Sequence, residues 1–273
     1  MSHSNSNRNS KNDTYGSVNH NNTAIIKTDE ELDIMREAGR IVAKALRRSF
    51  EFLEPGITTN ELDSIARSVI ESEGAKPAFL GLYGFPGTAC ISINEEIVHG
   101  IPSDRKVQSG DIVTMDCGAL VSGFYSDHAI SQIAGSSSHK KQKLIDITRE
   151  SLYKGIDSCH VGKRIGDISN SIEKYVIDSS YELVREYVGH GIGKNLHEPP
   201  QVPNFGPSGV GVELVHGLVL AIEPMVNTGT WKTKTLDDGW TVVTEDGKLS
   251  CHFEHTVAIT DNGPEILTKE KNK

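Results

Sequence analysis

The chain has no surplus of basic residues. Its 28 Lys and Arg are outnumbered by 37 Asp and Glu, for a formal net charge of -9. A protein that binds nucleic acid by neutralising phosphates is therefore not expected. Cysteine is also scarce. Cys90, Cys117, Cys159 and Cys251 form no CxxC pair, which excludes a disulfide framework in 273 residues and fits a reducing compartment. No apolar run approaches the ~20 residues that a membrane helix needs. The first residues hold no apolar stretch of the kind an export signal requires. The expectation is an acidic cytoplasmic protein with no membrane partner. What is present is 36% hydrophobic and 24% charged residues, enough at this length to bury a sizeable core as one large domain or two small ones.

Residues 1–23 stand apart. Seven are Asn and five are Ser, and Met1 and Val18 are the only clearly apolar members. Such a stretch cannot bury enough surface to offset its ordering entropy, so a disordered tail is expected. Without cysteine pairs it cannot be a zinc-binding extension. The body, residues 24–273, is expected to be a single domain. Thr28 with Glu31 forms a capping box, and Leu32, Met35, Val42, Leu46, Phe50 and Leu53 follow at helical spacing. Thr58 with Glu61 opens a second helix that Gly74 closes. Residues 90–133 change to short β-rich runs. Helical patterns return over 140–158 and 167–179, and β texture resumes after Glu182.

This order, two helices and then strands, occurs twice. Residues 55–62 (PGITTNEL) lie over 161–168 (VGKRIGDI), 98–101 (VHGI) over 189–192 (GHGI), and 110–116 (GDIVTMD) over 217–223 (GLVLAIE). The common order of these matches points to a duplication of two α/β halves of about a hundred residues rather than a solenoid. Asp116 and Glu223 each end an apolar strand pattern. A buried carboxylate without a partner is costly, so a cation is its natural companion. Asp127 follows Asp116 across a hairpin turn at Ser122-Gly123, and Glu254 follows Glu223 after a longer excursion. Four acids with a nearby His would form a mixed oxygen and nitrogen site for two divalent metals. Spacing alone leaves a salt-bridge or turn role open for each acid.

The motifs resemble those of type I methionine aminopeptidases. The matching segments are 90–102 (CISINEEIVHGIP), 110–116 (GDIVTMD), 125–127 (YSD), 189–193 (GHGIG), 196–200 (LHEPP), 222–225 (IEPM), 239–240 (GW) and 253–256 (FEHT), in family order. The resemblance implies an α/β (α+β) pita-bread fold, with two pseudo-symmetric helix-helix-strand halves around a central antiparallel sheet. It implies that Asp116, Asp127, His190, Glu223 and Glu254 are metal ligands, with Asp127 and Glu254 bridging two divalent ions (Co, Mn, Fe or Zn). It further implies removal of the initiator methionine from nascent polypeptides by a metal-activated water, with a preference for a small second residue. Glu223 would move the proton. His99 and His197 would contact the substrate as catalytic histidines, and the free α-amine would engage the second metal. Phe79, Leu82, Phe85, Cys90 and Trp240 fall at the positions of the methionine pocket. Many relatives have Tyr where Leu82 stands, and here Tyr83 is the next residue, which leaves the shape of that wall open.

His252 and His255, flanking Glu254, and His128, beside Asp127, are expected to turn away from the metals and to be structural. The likeness implies nascent chains as partners and leaves ribosome contact open. A monomer is the default. Two competing readings remain: a proline-specific peptidase of the same fold, and a non-catalytic binding module on a retained fold.

Overall fold

The computed structural model describes residues 23–269, so the expected tail lies outside the described residues except for Thr23. Among the described residues four α-helices form, α1 (Asp29–Phe50), α2 (Thr59–Ser72), α3 (His139–Ile156) and α4 (Ile165–Asp178). The strands of the first half are β1 (Lys76–Pro77), β2 (Ala89–Ile93), β3 (Glu96–Val98), β4 (Ile112–Val121) and β5 (Phe124–Ile133). Those that follow α4 are β6 (Glu182–Leu183), β7 (Gly189–Gly191), β8 (Glu198–Val202), β9 (Val219–Ile222), β10 (Met225–Asn227), β11 (Thr233–Thr235), β12 (Val242–Thr244), β13 (Ser250–His252), β14 (Glu254–Thr260) and β15 (Gly263–Ile266).

The helix starts follow their local chemistry. Thr28 and Thr58 each accept from the backbone N–H three residues on, and Glu31 and Glu61 reach back to the cap N–H, as both capping boxes predict. Ser138 caps α3 by accepting from the Lys141 N–H. The inner face of α1, Leu32, Met35, Ile41, Val42, Ala45 and Leu46, is buried at 3.6-residue spacing. Gly155 permits the close approach of α3 to α4, since a Cβ there would stand 2.7 Å from Cδ1 of Ile172.

Among the described residues the main sheet has nine strands, in the order β1-β4-β5-β14-β9-β7-β8, with β2 also on β4 and β15 on β14; every pairing given is antiparallel. The central order β4-β5-β14-β9 reads the same from either half, with β4 matched to β9 and β5 to β14. This is the arrangement that the internal repeat predicts. Each half has its own core. One gathers Val42, Leu46, Leu62, Ile70, Ile91 and Met115, and the other Leu144, Leu152, Ile168, Ile172, Leu220 and Val257. Burying side chains of this size contributes roughly 1.5–3 kcal/mol each.

The β4–β5 hairpin turns through Ser122 and Gly123, with Val121 paired to Phe124. Both turn residues have positive φ, 46° and 85°, as a two-residue hairpin of this hand requires. One expectation is corrected here. Asp116 does not end its strand but lies in the middle of β4, because the ladder with β5 continues from Ile112 to Val121. Glu223 does end its strand, directly after β9.

Candidate metal centre and substrate pocket

Strand alternation sorts the sheet into two faces. Val113, Met115, Cys117 and Ala119 of β4 pack into the core beneath α1 and α2, so Asp116 and Gly118 face the other way. Register then assembles the acids. Asp116 is opposite Ala129 on β5, and Ala129 is opposite Glu254 on β14, so the two acids share a face with only a methyl group between them. Asp127, opposite Gly118, is the diagonal neighbour of Asp116 on that face. His190 on β7 pairs with Ala221 on β9, which brings its Nε2 to 3.7 Å from Oε1 of Glu223. One ligand atom each from Asp127, His190 and Glu254 lies within 4.8 Å of the others.

Burial dominates the electrostatics. It pushes the Asp116 carboxyl up to about 7. Asp127 is driven well above the carboxylate range by burial, with Asp116 and Glu223 adding repulsion. Glu223 and Glu254 move the same way, first by burial and then by the neighbouring acids. Oδ1 of Asp116 and Oε1 of Glu254 are buried and accept no hydrogen bond. Four acids facing one another with idle buried acceptors need positive charge, and hard divalent cations fit this oxygen-rich set with its one imidazole.

The supports are built into neighbouring strands. The Thr256 hydroxyl accepts from the Asp127 N–H at 2.9 Å and donates to the Asp127 carbonyl at 2.8 Å. Lys27 and Glu198 form a buried ion pair at 2.7 Å, and Glu198 also accepts from the Asn195 N–H. This pair fixes the segment that carries His197. The His197 ring lies perpendicular to that of His190, with centroids 4.5 Å apart, and burial lowers its pKa. His99 has a φ of 62°, in the left-handed region, and its ring meets Tyr187 edge-on at 5.7 Å. Burial, followed by repulsion from His197, pushes its pKa down to about 4, so it is a neutral imidazole near pH 7.

The five expected pocket residues converge. Phe79, Phe85 and Cys90 are buried in one apolar cluster, with Leu82 and Trp240 packed against it. Phe85 meets Trp240 edge-to-face at 5.1 Å. Cys90 pairs with Asp116 across β2 and β4, so the apolar wall adjoins the acids. Gly118 makes room, because a Cβ there would stand 3.0 Å from the Phe79 ring. Asp238 holds Trp240 by accepting from its N–H and from that of Thr241. Exposure separates the two neighbours at that wall: Leu82 joins the cluster, whereas Tyr83 is 75% exposed.

His128 and His255 behave as expected. They stack on the far face at 4.5 Å, and His255 contacts Thr268 and Tyr153. His252 does not. It stands two residues from Glu254, so alternation returns it to the acid face, and its Nε2 lies 3.9 Å from Oε2 of Glu223. Lys27, Tyr187 and Leu196, which packs in the pocket cluster, were not singled out from the sequence. Only Leu196 carried a local signal, as the residue before His197.

Comparison with known proteins agrees with this geometry. The model for metallopeptidase family M24 matches residues 33–261. The methionine aminopeptidase of Clostridium perfringens is 54% identical over 244 residues, 89% of this chain and 98% of that protein. The crystal structure of the Thermotoga maritima methionine aminopeptidase superimposes with a TM-score of 0.89 at 44% identity, covering 91% of this chain and all of the other. The Pyrococcus horikoshii prolidase is similar at a TM-score of 0.74 and 25% identity, covering 92% of this chain but 65% of its own. The chain belongs to metallopeptidase family M24, within its type I methionine aminopeptidases.

Proposed function

We propose that this chain removes the initiator methionine from new polypeptides at a centre of two divalent ions. The observation that carries this reading is the meeting, on one sheet face, of buried acids with idle acceptors and an apolar pocket. Asp127 and Glu254 would bridge the ions, Asp116 would complete one, and His190 with Glu223 the other. When bound, the ions supply Lewis acidity to the scissile carbonyl and to a water nucleophile. The Glu223 carboxylate accepts the proton of that water and passes it to the leaving amine. His197 donates to the developing oxyanion, and neutral His99 hydrogen-bonds the scissile amide. Phe79, Leu82, Phe85, Cys90 and Trp240 take the flexible thioether side chain and exclude water from it. Mn, Fe, Co and Zn all suit this donor set.

A small second residue is preferred in this reading. Residues 24–273 act as one catalytic unit, since a single sheet joins the halves. The substrates are nascent chains, so the setting is the cytoplasm, with the chain working as a monomer. The test is cleavage of Met-Ala-Ser against an Ala-Pro peptide under Mn2+ titration. Release of methionine that rises with Mn2+ supports the reading, and preferential release of alanine overturns it in favour of a proline-specific peptidase. Anomalous scattering from Mn2+-soaked crystals, with no peak between Asp127 and Glu254, would favour a binding module instead.

A further inference from the structure

His252 is 1% exposed, yet neither ring nitrogen has a hydrogen-bond partner. A neutral imidazole always carries one N–H, and leaving a buried donor unused is costly. The backbone of His252 is nevertheless held on both sides. The Ser131 hydroxyl donates to the His252 carbonyl at 2.7 Å and accepts from its N–H at 3.3 Å, and Thr114 shares a hydrogen bond of 2.6 Å with Ser131. A three-residue polar chain across β4, β5 and β13 thus fixes the backbone position from which the imidazole reaches the acid face. From there, Nε2 lies 3.9 Å from Oε2 of Glu223, while Oε1 of the same carboxylate lies 3.7 Å from Nε2 of His190. The two oxygens of Glu223 are divided between two imidazoles, of which only His190 is in the expected ligand set.

We propose that His252 is a positioning residue for Glu223. Its Nε2–H donates to Oε2 in the metal-loaded enzyme and leaves Oε1 for the ion shared with His190. At 3.9 Å the two atoms do not yet bond, so the carboxylate must turn towards His252 when the ions bind. Nδ1 is then an unprotonated acceptor. The assignment rests on the proposed function for the roles of Glu223 and His190. Partners that orient a metal ligand typically control affinity or activity by about 10–100-fold.

The test uses the full chain, as parent, H252M and H252Q. Calorimetry with Mn2+ on metal-free protein gives affinity, and Met-Ala-Ser hydrolysis at saturating Mn2+ gives kcat and KM. H252M, which has no donor, should bind Mn2+ about 10-fold or more weakly and lose a similar factor in kcat, with KM within about threefold. H252Q keeps an N–H donor and should recover most of both losses. An H252M protein that matches the parent overturns the assignment, and so does an H252Q protein as impaired as H252M. If H252M fails to fold, H252N, whose donor is too short to reach Oε2, takes its place with the same expectation. A parent that neither binds Mn2+ nor cleaves Met-Ala-Ser would overturn the proposed function, and this assignment with it.

Discussion

The two halves connect their acid-bearing strands in different ways. In the first, β4 runs to β5 through two residues, Ser122 and Gly123. In the second, residues 223–253 intervene between β9 and β14 and include β10 to β13 and Trp240. The first half therefore joins its two acids directly, and its apolar residues Phe79, Leu82, Phe85 and Cys90, like His99, all lie before β4. The second has room to build a pocket wall and reaches across to the first half with it: β12 pairs with β3, and Trp240 packs on Phe85. A second asymmetry is crosswise. His99 belongs to the first half but follows the strand held by β12 and meets Tyr187 of the second. His197 belongs to the second half, but the next residue, Glu198, is pinned by Lys27 from before α1. Each half positions the other's histidine. A duplicated sheet can thus present its acids symmetrically while asymmetric connections bring Trp240 and the two histidines to them.

The widest test of this comparison lies in the ligands. Asp127→Ala and Glu254→Ala each remove an acid proposed to bridge the ions, one per half, and each should lower turnover of Met-Ala-Ser by about a thousandfold or more. Far-UV circular dichroism should remain that of the parent. A mild effect of either change would show that the halves do not share the centre equally. Next in size is the crosswise tie. Lys27→Met leaves Glu198 buried and uncompensated, which should cost about 3–5 kcal/mol in chemical denaturation. A loss near zero would break the crosswise argument. His197→Ala should then slow turnover about 100-fold while Mn2+ affinity, measured by calorimetry, stays within about threefold. Loss of metal in that variant would move His197 into the ligand set.

A smaller effect depends on pH. The Asp116 carboxyl is raised in the folded state, so the native protein holds that proton more tightly than the unfolded chain does. Its contribution to stability is present at low pH and is lost as pH climbs from about 4 towards 7. Asp116→Asn should therefore raise metal-free Tm less at pH 5, where part of the contribution is already lost, than at pH 8, where the gain is ~3 °C or more. A rise of equal size at both pH values would mean that the charge is not what destabilises this half. The smallest effect expected is for Tyr83→Ala. Its side chain points to solvent, so KM for Met-Ala-Ser should stay within about twofold. A large rise in KM would put Tyr83, not Leu82, on the pocket wall.

Much of this was legible in the sequence because the signals were local. The capping boxes at Thr28 and Thr58, the Ser122-Gly123 turn and the hundred-residue repeat each depend on neighbours in the chain. The acids at matched positions were legible for the same reason. The Lys27–Glu198 pair was not, because 171 residues separate its members and neither side chain announces the other. His252 was misplaced by an alternation argument counted from the wrong neighbour: two steps along a strand return a side chain to the same face. Asp116 was set at a strand end because the apolar pattern stops there, whereas backbone pairing ignores polarity and carries β4 five residues further.

The seam between the halves is thin. β5 and β14 pair along their backbones only at Glu254 with Ala129 and His255 with His128. On either side, hydroxyl groups stand in for the ladder, Thr256 against Asp127 and Ser131 against His252. A hydroxyl on a rotatable side chain yields more readily than a peptide unit, so this line holds fewer fixed bonds than a continuous ladder would. A cation shared by Asp127 and Glu254 would cross the same line from above. Filling the centre and stapling the two halves into one rigid shell are, in mechanical terms, a single act.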